Sequence, residues 1–364
     1  MSSIPEQIMA NKSHIIKLIT ILIIVFLCIF IISKLSTKSS NCTRITTNAN
    51  KTTYSSLSSN TQLCNVNSKT NTYIQELLLN KVFVKTAHDC CCSGDYKNDY
   101  VDNCALKNCR DDGVRALDFQ IYSLKNKPII AASSVSGNKY KEMYNSLDFY
   151  TTMKKVKRLF LTTECSNFSD PLFLIFRVNS NIQATYDSMF SSLIEIFGSG
   201  SSTGNILYTK PTATDIGLTP ISNFISQVVI CVYAYDAPTF YKSSLPRITS
   251  LDLNTAKNKI RYESELLDLQ LTTLPTTSAG LLLSTNTNIA FPNQQTTSAN
   301  MDFVMTGLYY GITFIGMNFQ NADASRIAYD KFFTKGSFIE KDPTGIGVPP
   351  LYTINLLDKT ALLN

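Results

Sequence analysis

The chain has 364 residues, 44% of them hydrophobic and only 16% charged, with a formal net charge of +6. That length holds one large domain or two ordinary ones. The positive balance is thinly spread and no Lys/Arg run exceeds a few residues, so nothing in it indicates a nucleic-acid partner. Asn, Thr, Ser, Ile and Lys are frequent and Trp is absent, a bias expected of an AT-rich genome rather than of a functional demand.

A short tail, residues 1–14, precedes IIKLITILIIVFLCIFIIS (15–33), a run with Lys17 as its single charge. As a helix this run spans roughly 28 Å, close to the hydrocarbon thickness of a bilayer. It is too long for a signal-peptide core and no Ala-x-Ala site follows, so it reads as a single uncleaved transmembrane helix in contact with membrane lipid. Lys12 and Lys17 on one side, and Lys34, Lys38 and Arg44 on the other, leave the orientation undecided by charge. Residues 34–75 are rich in Ser, Thr and Asn and read as a stalk.

From about Tyr73 short apolar runs alternate with helical stretches, the pattern of β–α units around a parallel sheet. Strands are predicted within 80–87, 113–124, 127–133, 170–180, 226–235 and 307–320. In 181–197 the residues Ile182, Tyr186, Met189, Phe190, Leu193 and Phe197 fall on one helical face. A second helix is predicted at 323–333, and TMKKVKRLF (152–160) reads as a basic helix with a solvated face. Residues 270–300 lack a period and read as a long loop. A barrel of parallel strands over 76–340, with a tail at 341–364, suits this size. No Gly-x-Gly-x-x-Gly follows a strand, so a dinucleotide fold has no support.

The stretch KTAHDCCCSGDYKND (85–99) holds His88, one of two histidines in the chain. Three adjacent cysteines cannot all converge on one tetrahedral ion, which argues against a metal site, and Cys-x-x-Cys is absent. Cys42, Cys64, Cys90, Cys91, Cys92, Cys104 and Cys109 all fall between residues 42 and 109. This density predicts disulfides and an oxidising, extracytoplasmic or virion-surface side for the barrel, with connectivity open. Sequons at Asn41, Asn50 and Asn167 would be usable on such a face.

The wording of the strands resembles the X domain of phosphatidylinositol-specific phospholipase C, in a divergent form of the kind viruses encode. KTAHDC places His88 where the family's first catalytic histidine stands. GVRALDF matches the second-strand pattern at Gly113, Arg115, Leu117 and Asp118. KPIIAASS, DPLFLIFRVNS and GMNFQ (Asn318 to Gln320) follow in the family's order. The resemblance covers roughly residues 78–340 and implies an α/β, distorted TIM-like barrel. It also implies general acid–base cleavage of a phosphodiester by two histidines, with calcium in many members.

The departures decide the expectation. The second histidine position falls on Ala132 or Ser133, and neither donates a proton as imidazolium does. The calcium positions carry Asp89, Asp118, Gln120 and Arg177. An arginine there repels a divalent cation, so no calcium or other cofactor is expected. Asp118 is expected to pair with Arg115 or Arg177, and Lys210 lies where the family places lysines near substrate phosphates. The expectation is a membrane-anchored pseudoenzyme with a structural or interaction role and protein partners. Alternatives are a phosphoinositide-headgroup binder using Asp118, Arg177 and Lys210, or an active phosphodiesterase using His88.

Overall fold

The structure, a computed structural model, describes residues 12–47, 54, 56–57, 76–135, 141–198, 204–209, 215–270, 285–334 and 336–341. Residues 1–44 and 45–364 form separate compact units, and the second holds the barrel.

Helix α1 (Lys12–Thr47) is 36 residues long, and from Ile16 onward it is long and apolar enough to cross a membrane. It runs past the predicted end at residue 33, so the first part of the expected stalk is helical. No Gly or Pro interrupts 34–47, and the hydroxyls turn back onto the helix: Thr37 Oγ1 donates to the Ser33 carbonyl at 3.0 Å and Thr43 Oγ1 to that of Ser39 at 3.1 Å.

The barrel begins with β1 (Val82–Ala87), α2 (Asn103–Asp111), β2 (Ala116–Leu124), β3 (Lys127–Ala131) and β4 (Leu147–Asp148). It continues with α3 (Phe149–Phe160), β5 (Leu172–Asn179), α4 (Gln183–Phe197), β6 (Val228–Ala234), α5 (Ala237–Lys242) and β7 (Leu251–Asp252). It ends with β8 (Ile260–Tyr262), α6 (Glu263–Gln270), β9 (Ile289–Phe291), β10 (Phe314–Met317), α7 (Ala324–Phe332) and β11 (Phe338–Glu340). Aspartates cap four of the helices: Asp102, Asp148, Asp236 and Asp323 each accept from a backbone N–H in the first turn of α2, α3, α5 and α7.

Eight strands pair side by side in the order β7-β6-β5-β2-β1-β10-β9-β8. All seven neighbouring pairs are parallel. Among the described residues no ladder joins β7 to β8, so the sheet curls without closing, a distorted TIM-like barrel. The antiparallel hairpin β2–β3 extends it at the C-terminal ends of the strands, and β11 lies antiparallel on β1.

Side-chain alternation divides the core into two layers. Val84, Ala116, Phe173, Ile175, Val229, Cys231, Ile289 and Phe314 fill the interior. Phe83, Leu117, Phe119, Leu174, Phe176, Ile230 and Ile315 face outward onto Tyr186, Leu193 and Tyr329 of the helices. On α4 the predicted face holds at Tyr186, Met189, Leu193 and Phe197, all buried.

Two stretches depart from the sequence-based expectation. The predicted strand 307–320 is a strand only from Phe314; ahead of it Val304–Leu308 is a π-helical turn. The wide turn is held by Leu308 N–H to the Phe303 carbonyl at 2.9 Å and Tyr309 N–H to that of Val304 at 3.0 Å. The predicted loop 270–300 contains β9, too short to show a period. Lys341 is buried, donating to the Asn80 carbonyl at 2.8 Å and to Thr313 Oγ1 at 3.0 Å.

Part of the expected stalk is packed rather than extended. Tyr54 and Leu57 are buried. Asp170 accepts from Leu57 N–H at 2.7 Å and from Ser56 Oγ at 2.9 Å, and Lys85 Nζ donates to Tyr54 Oη at 2.8 Å. The Tyr54 ring lies on bare Gly113, whose φ is +69° and whose added Cβ would sit 2.4 Å from that ring. Asn167 is also buried, its amide donating to Ser337 Oγ at 2.8 Å, so this sequon is closed to glycosylation once the chain has folded.

Gly113→Ala is therefore expected to cost about 1–3 kcal/mol, from the left-handed backbone and the clash with Tyr54. Urea unfolding measures this, and adding Tyr54→Ala should recover the steric part but not the backbone part.

Candidate functional site

The inward register that packs the barrel also builds the site. On β2 the positions following Ala116 on the interior face are Asp118 and Gln120, and on β5 the position after Ile175 is Arg177. These two strands are in register, with Asp118 opposite Ile175 and Gln120 opposite Arg177. His88 comes one residue after β1, and Asp89 follows at φ +43°, a left-handed turn that folds the chain over the end of the barrel.

All five groups meet. Arg177 Nε donates to Asp118 Oδ1 at 2.9 Å, and Nη2 donates to Asp118 Oδ2 and to Asp89 Oδ1, both at 2.7 Å. This is a forked pair with Asp118 plus a second carboxylate on one nitrogen. Asp118 Oδ2 also accepts the Asp89 backbone N–H at 3.0 Å. Gln120 Nε2 donates to Asp89 Oδ2 at 2.9 Å, and Tyr122 Oη donates to Gln120 Oε1 at 2.7 Å. His88 Nδ1 lies 3.3 Å from an oxygen of each carboxylate and 3.4 Å from Arg177 Nη2. Both Nη2 hydrogens are committed to the carboxylates, so Nδ1 of a neutral imidazole is left to carry its proton toward them.

The cluster is dry. His88, Asp89, Asp118, Gln120 and Arg177 are all buried. Desolvation, then the Arg177 charge, holds His88 well below its ordinary value, so its ring is neutral. Burial pushes the Asp89 carboxyl up to about 7, against the opposing pull of Arg177 and with the push of Asp118. Arg177 is held well above its ordinary value, its two carboxylates outweighing the cost of burial.

Aromatic rings close the site. Phe291, the last residue of β9, lies 4.4 Å from the His88 ring centroid and carries Arg177 on its face at 5.2 Å. Its ring needs the bare backbone of Gly316, where an added Cβ would come within 2.5 Å. Tyr96 lies 5.8 Å from the His88 ring, with its hydroxyl on Asn318 Oδ1 and 3.4 Å from Gln320 Nε2. The gap beside Asp89, Asp118 and Gln120 has no room even for a water molecule, whereas small-molecule sites hold roughly 300–1,000 Å³.

His88, Asp118 and Arg177 are thus brought together, and Asp118 pairs with Arg177 rather than Arg115. Arg115 instead ties α3 to β5, donating to the Phe160 and Pro171 carbonyls at 3.1 Å each. Lys210 and Cys64 lie outside the described residues. Ala132 is buried. Ser133 meets Gln120 through its backbone, and its hydroxyl donates to Glu142 at 2.9 Å. Tyr96 and Phe291 complete the site without a sequence signal of their own, whereas Asn318 lies in the GMNFQ stretch.

The cysteine expectation holds only in part. Cys42 and Cys104 are each disulfide-bonded, but Cys90, Cys91, Cys92 and Cys109 are free thiols. All four are buried in the apolar layer beneath α2, where they pack as small hydrophobes. Burial pushes Cys90, Cys92 and Cys109 well above the ordinary thiol value.

Solved structures place this architecture. The chain is similar to the crystal structures of PLC21 from L. pealei and from S. officinalis, each with a TM-score of 0.56 and 14% identity, over 74% of this chain and 38% of theirs. The chain has a phospholipase-C-like fold. A calcium-dependent phosphoinositol-specific phospholipase C from the Gram-negative bacterium Pseudomonas sp. is also similar, at 9% identity over 68% of this chain and 93% of that one, with a TM-score of 0.42. The chain spans 38% of the length of each PLC21 structure. No protein-family model matches the sequence, and no curated protein matches it.

Calcium does not fit the residues of this phospholipase-C-like barrel. His88, Asp89 and Asp118 present ligand atoms within 4.8 Å of one another, but Arg177 Nη2 bonds to both carboxylates at 2.7 Å. An ion requiring six or more oxygen ligands would have to displace that guanidinium.

Arg177→Met leaves two buried carboxylates without a cation and is expected to destabilise the barrel by about 3–5 kcal/mol in urea unfolding. The folded state also keeps an Asp89 proton that the unfolded state releases. That contribution is complete below pH 3.8 and is lost as pH rises to about 7. The difference in unfolding free energy between wild type and Asp89→Asn should therefore fall with rising pH across this window.

Proposed function

We propose that this chain is a membrane-anchored phospholipase-C-like pseudoenzyme whose barrel serves a structural or interaction role. The observation that carries the reading is the commitment of Asp89 and Asp118 to Arg177 beside His88. Phosphodiester cleavage by a neighbouring hydroxyl needs a base on the attacking oxygen and an acid on the leaving oxygen. Neutral His88 supplies one such group. The position expected for the second carries Ala132 and Ser133, and the Ser133 hydroxyl is engaged by Glu142. The apolar helix α1 supports the anchor.

Headgroup binding is less well supported, because the polar groups of the cluster are spent on one another. Among the described residues none of the buried side-chain polar atoms of His88, Asp89, Asp118, Gln120 or Arg177 lacks a partner, and Phe291 and Tyr96 occupy the space around the imidazole.

The test is release of inositol phosphate from phosphatidylinositol in mixed micelles by the full chain, with and without calcium, beside His88→Ala. No release above the His88→Ala level is expected. Release that depends on His88 would overturn the proposal.

A further inference from the structure

We propose that residues 93–99 form a hinged lid over His88, latched shut by Asp95 and Tyr96. The loop has a closed base: Cys92 bridges to Val101, and Ser93 N–H donates to the Tyr100 carbonyl at 3.0 Å. A compact loop with joined ends moves as a unit. Beyond that base it is held to the rest of the barrel by few contacts. Ser298 donates to Asp95 Oδ1 through its backbone N–H at 2.8 Å and its hydroxyl at 3.1 Å. Tyr96 N–H donates to the Thr296 carbonyl and Asn98 N–H to that of Glu142, both at 3.1 Å.

Only one side chain of the loop reaches the site, and it lies over the imidazole. Tyr96 is 3% exposed while the neighbouring Lys97 and Asn98 are exposed. Its hydroxyl is held by Asn318 and Gln320 at the end of β10. The covering loop is latched by polar contacts, and its Tyr96 ring packs into the outer apolar layer. Loss of the latch frees that ring and opens a route from solvent to His88 while the strands and the interior layer stay in place. This holds whether or not the site beneath turns over a substrate.

The chain provides its own reporters. Diethyl pyrocarbonate acylates neutral imidazoles, and the only two histidines are His14, exposed on α1, and His88. Cys231, fully buried in the barrel interior, reports global opening through its reaction with a maleimide. In the full chain in detergent, His88 should be acylated much more slowly than His14. Asp95→Ala and Tyr96→Ala should each raise the His88 rate about tenfold, the factor for losing roughly one net hydrogen bond of closing energy, with Cys231 still unreactive. Ser298→Ala removes the hydroxyl half of the Asp95 contact and leaves the backbone N–H half, so it should raise the His88 rate in the same direction but by less than Asp95→Ala does, which decides the matter if either loop variant exposes Cys231. Acylation of wild-type His88 as fast as His14 would overturn the proposal. So would continued protection of His88 in Ser298→Ala together with a loop variant whose Cys231 stays unreactive.

Discussion

The upper end of this barrel depends on one guanidinium. Arg177 reaches from β5 to Asp118 on β2 and to Asp89 at the exit of β1, and so fastens three consecutive strands of the curled sheet. A buried charge is tolerated only when its partners repay its lost hydration. Here the repayment is complete for the arginine and incomplete for Asp89. Two carboxylates share one cation, and the surplus negative charge is relieved by holding a proton on Asp89. The neutrality of His88 follows from the same arrangement, since a second positive charge beside Arg177 would be costly in a dry cluster.

Much of this was legible from the amino acids alone. β2, β5 and β6 are long apolar runs buried on both faces, and such runs announce themselves. The match of GVRALDF and DPLFLIFRVNS to a known family placed Asp118 and Arg177 in the same mouth before any distance was known. The rest was hidden for physical reasons. Three residues of β9 cannot display a period, so Phe291 fell within a supposed loop. The tyrosines of GLYYGITF read as a strand, yet wider-than-α hydrogen bonding takes that stretch into a π-helical turn. Nothing in the spacing of Tyr96 reveals that it turns back over a histidine eight positions earlier.

The cysteines show how composition misleads when geometry is unknown. Seven cysteines within less than one fifth of a chain suggest a cross-linked scaffold, but sulfur is also among the best small fillers of a tight apolar layer. Cys90, Cys91, Cys92 and Cys109 take that second role beneath α2. The same stretch serves two ends: its thiols secure the base of the loop, and its polar end lies over the imidazole.

Replacing a diffusible ion by an arginine has a consequence for assembly. A bound metal must be found, kept and paid for in ligand organisation each time the chain folds, and a chelator takes it away. Arg177 is covalently part of β5 and reaches its carboxylates as soon as that strand zips against β2, seven residues in register. This end of the barrel is therefore completed by strand pairing alone. Strand pairing at this end thus does not wait on the capture of an ion.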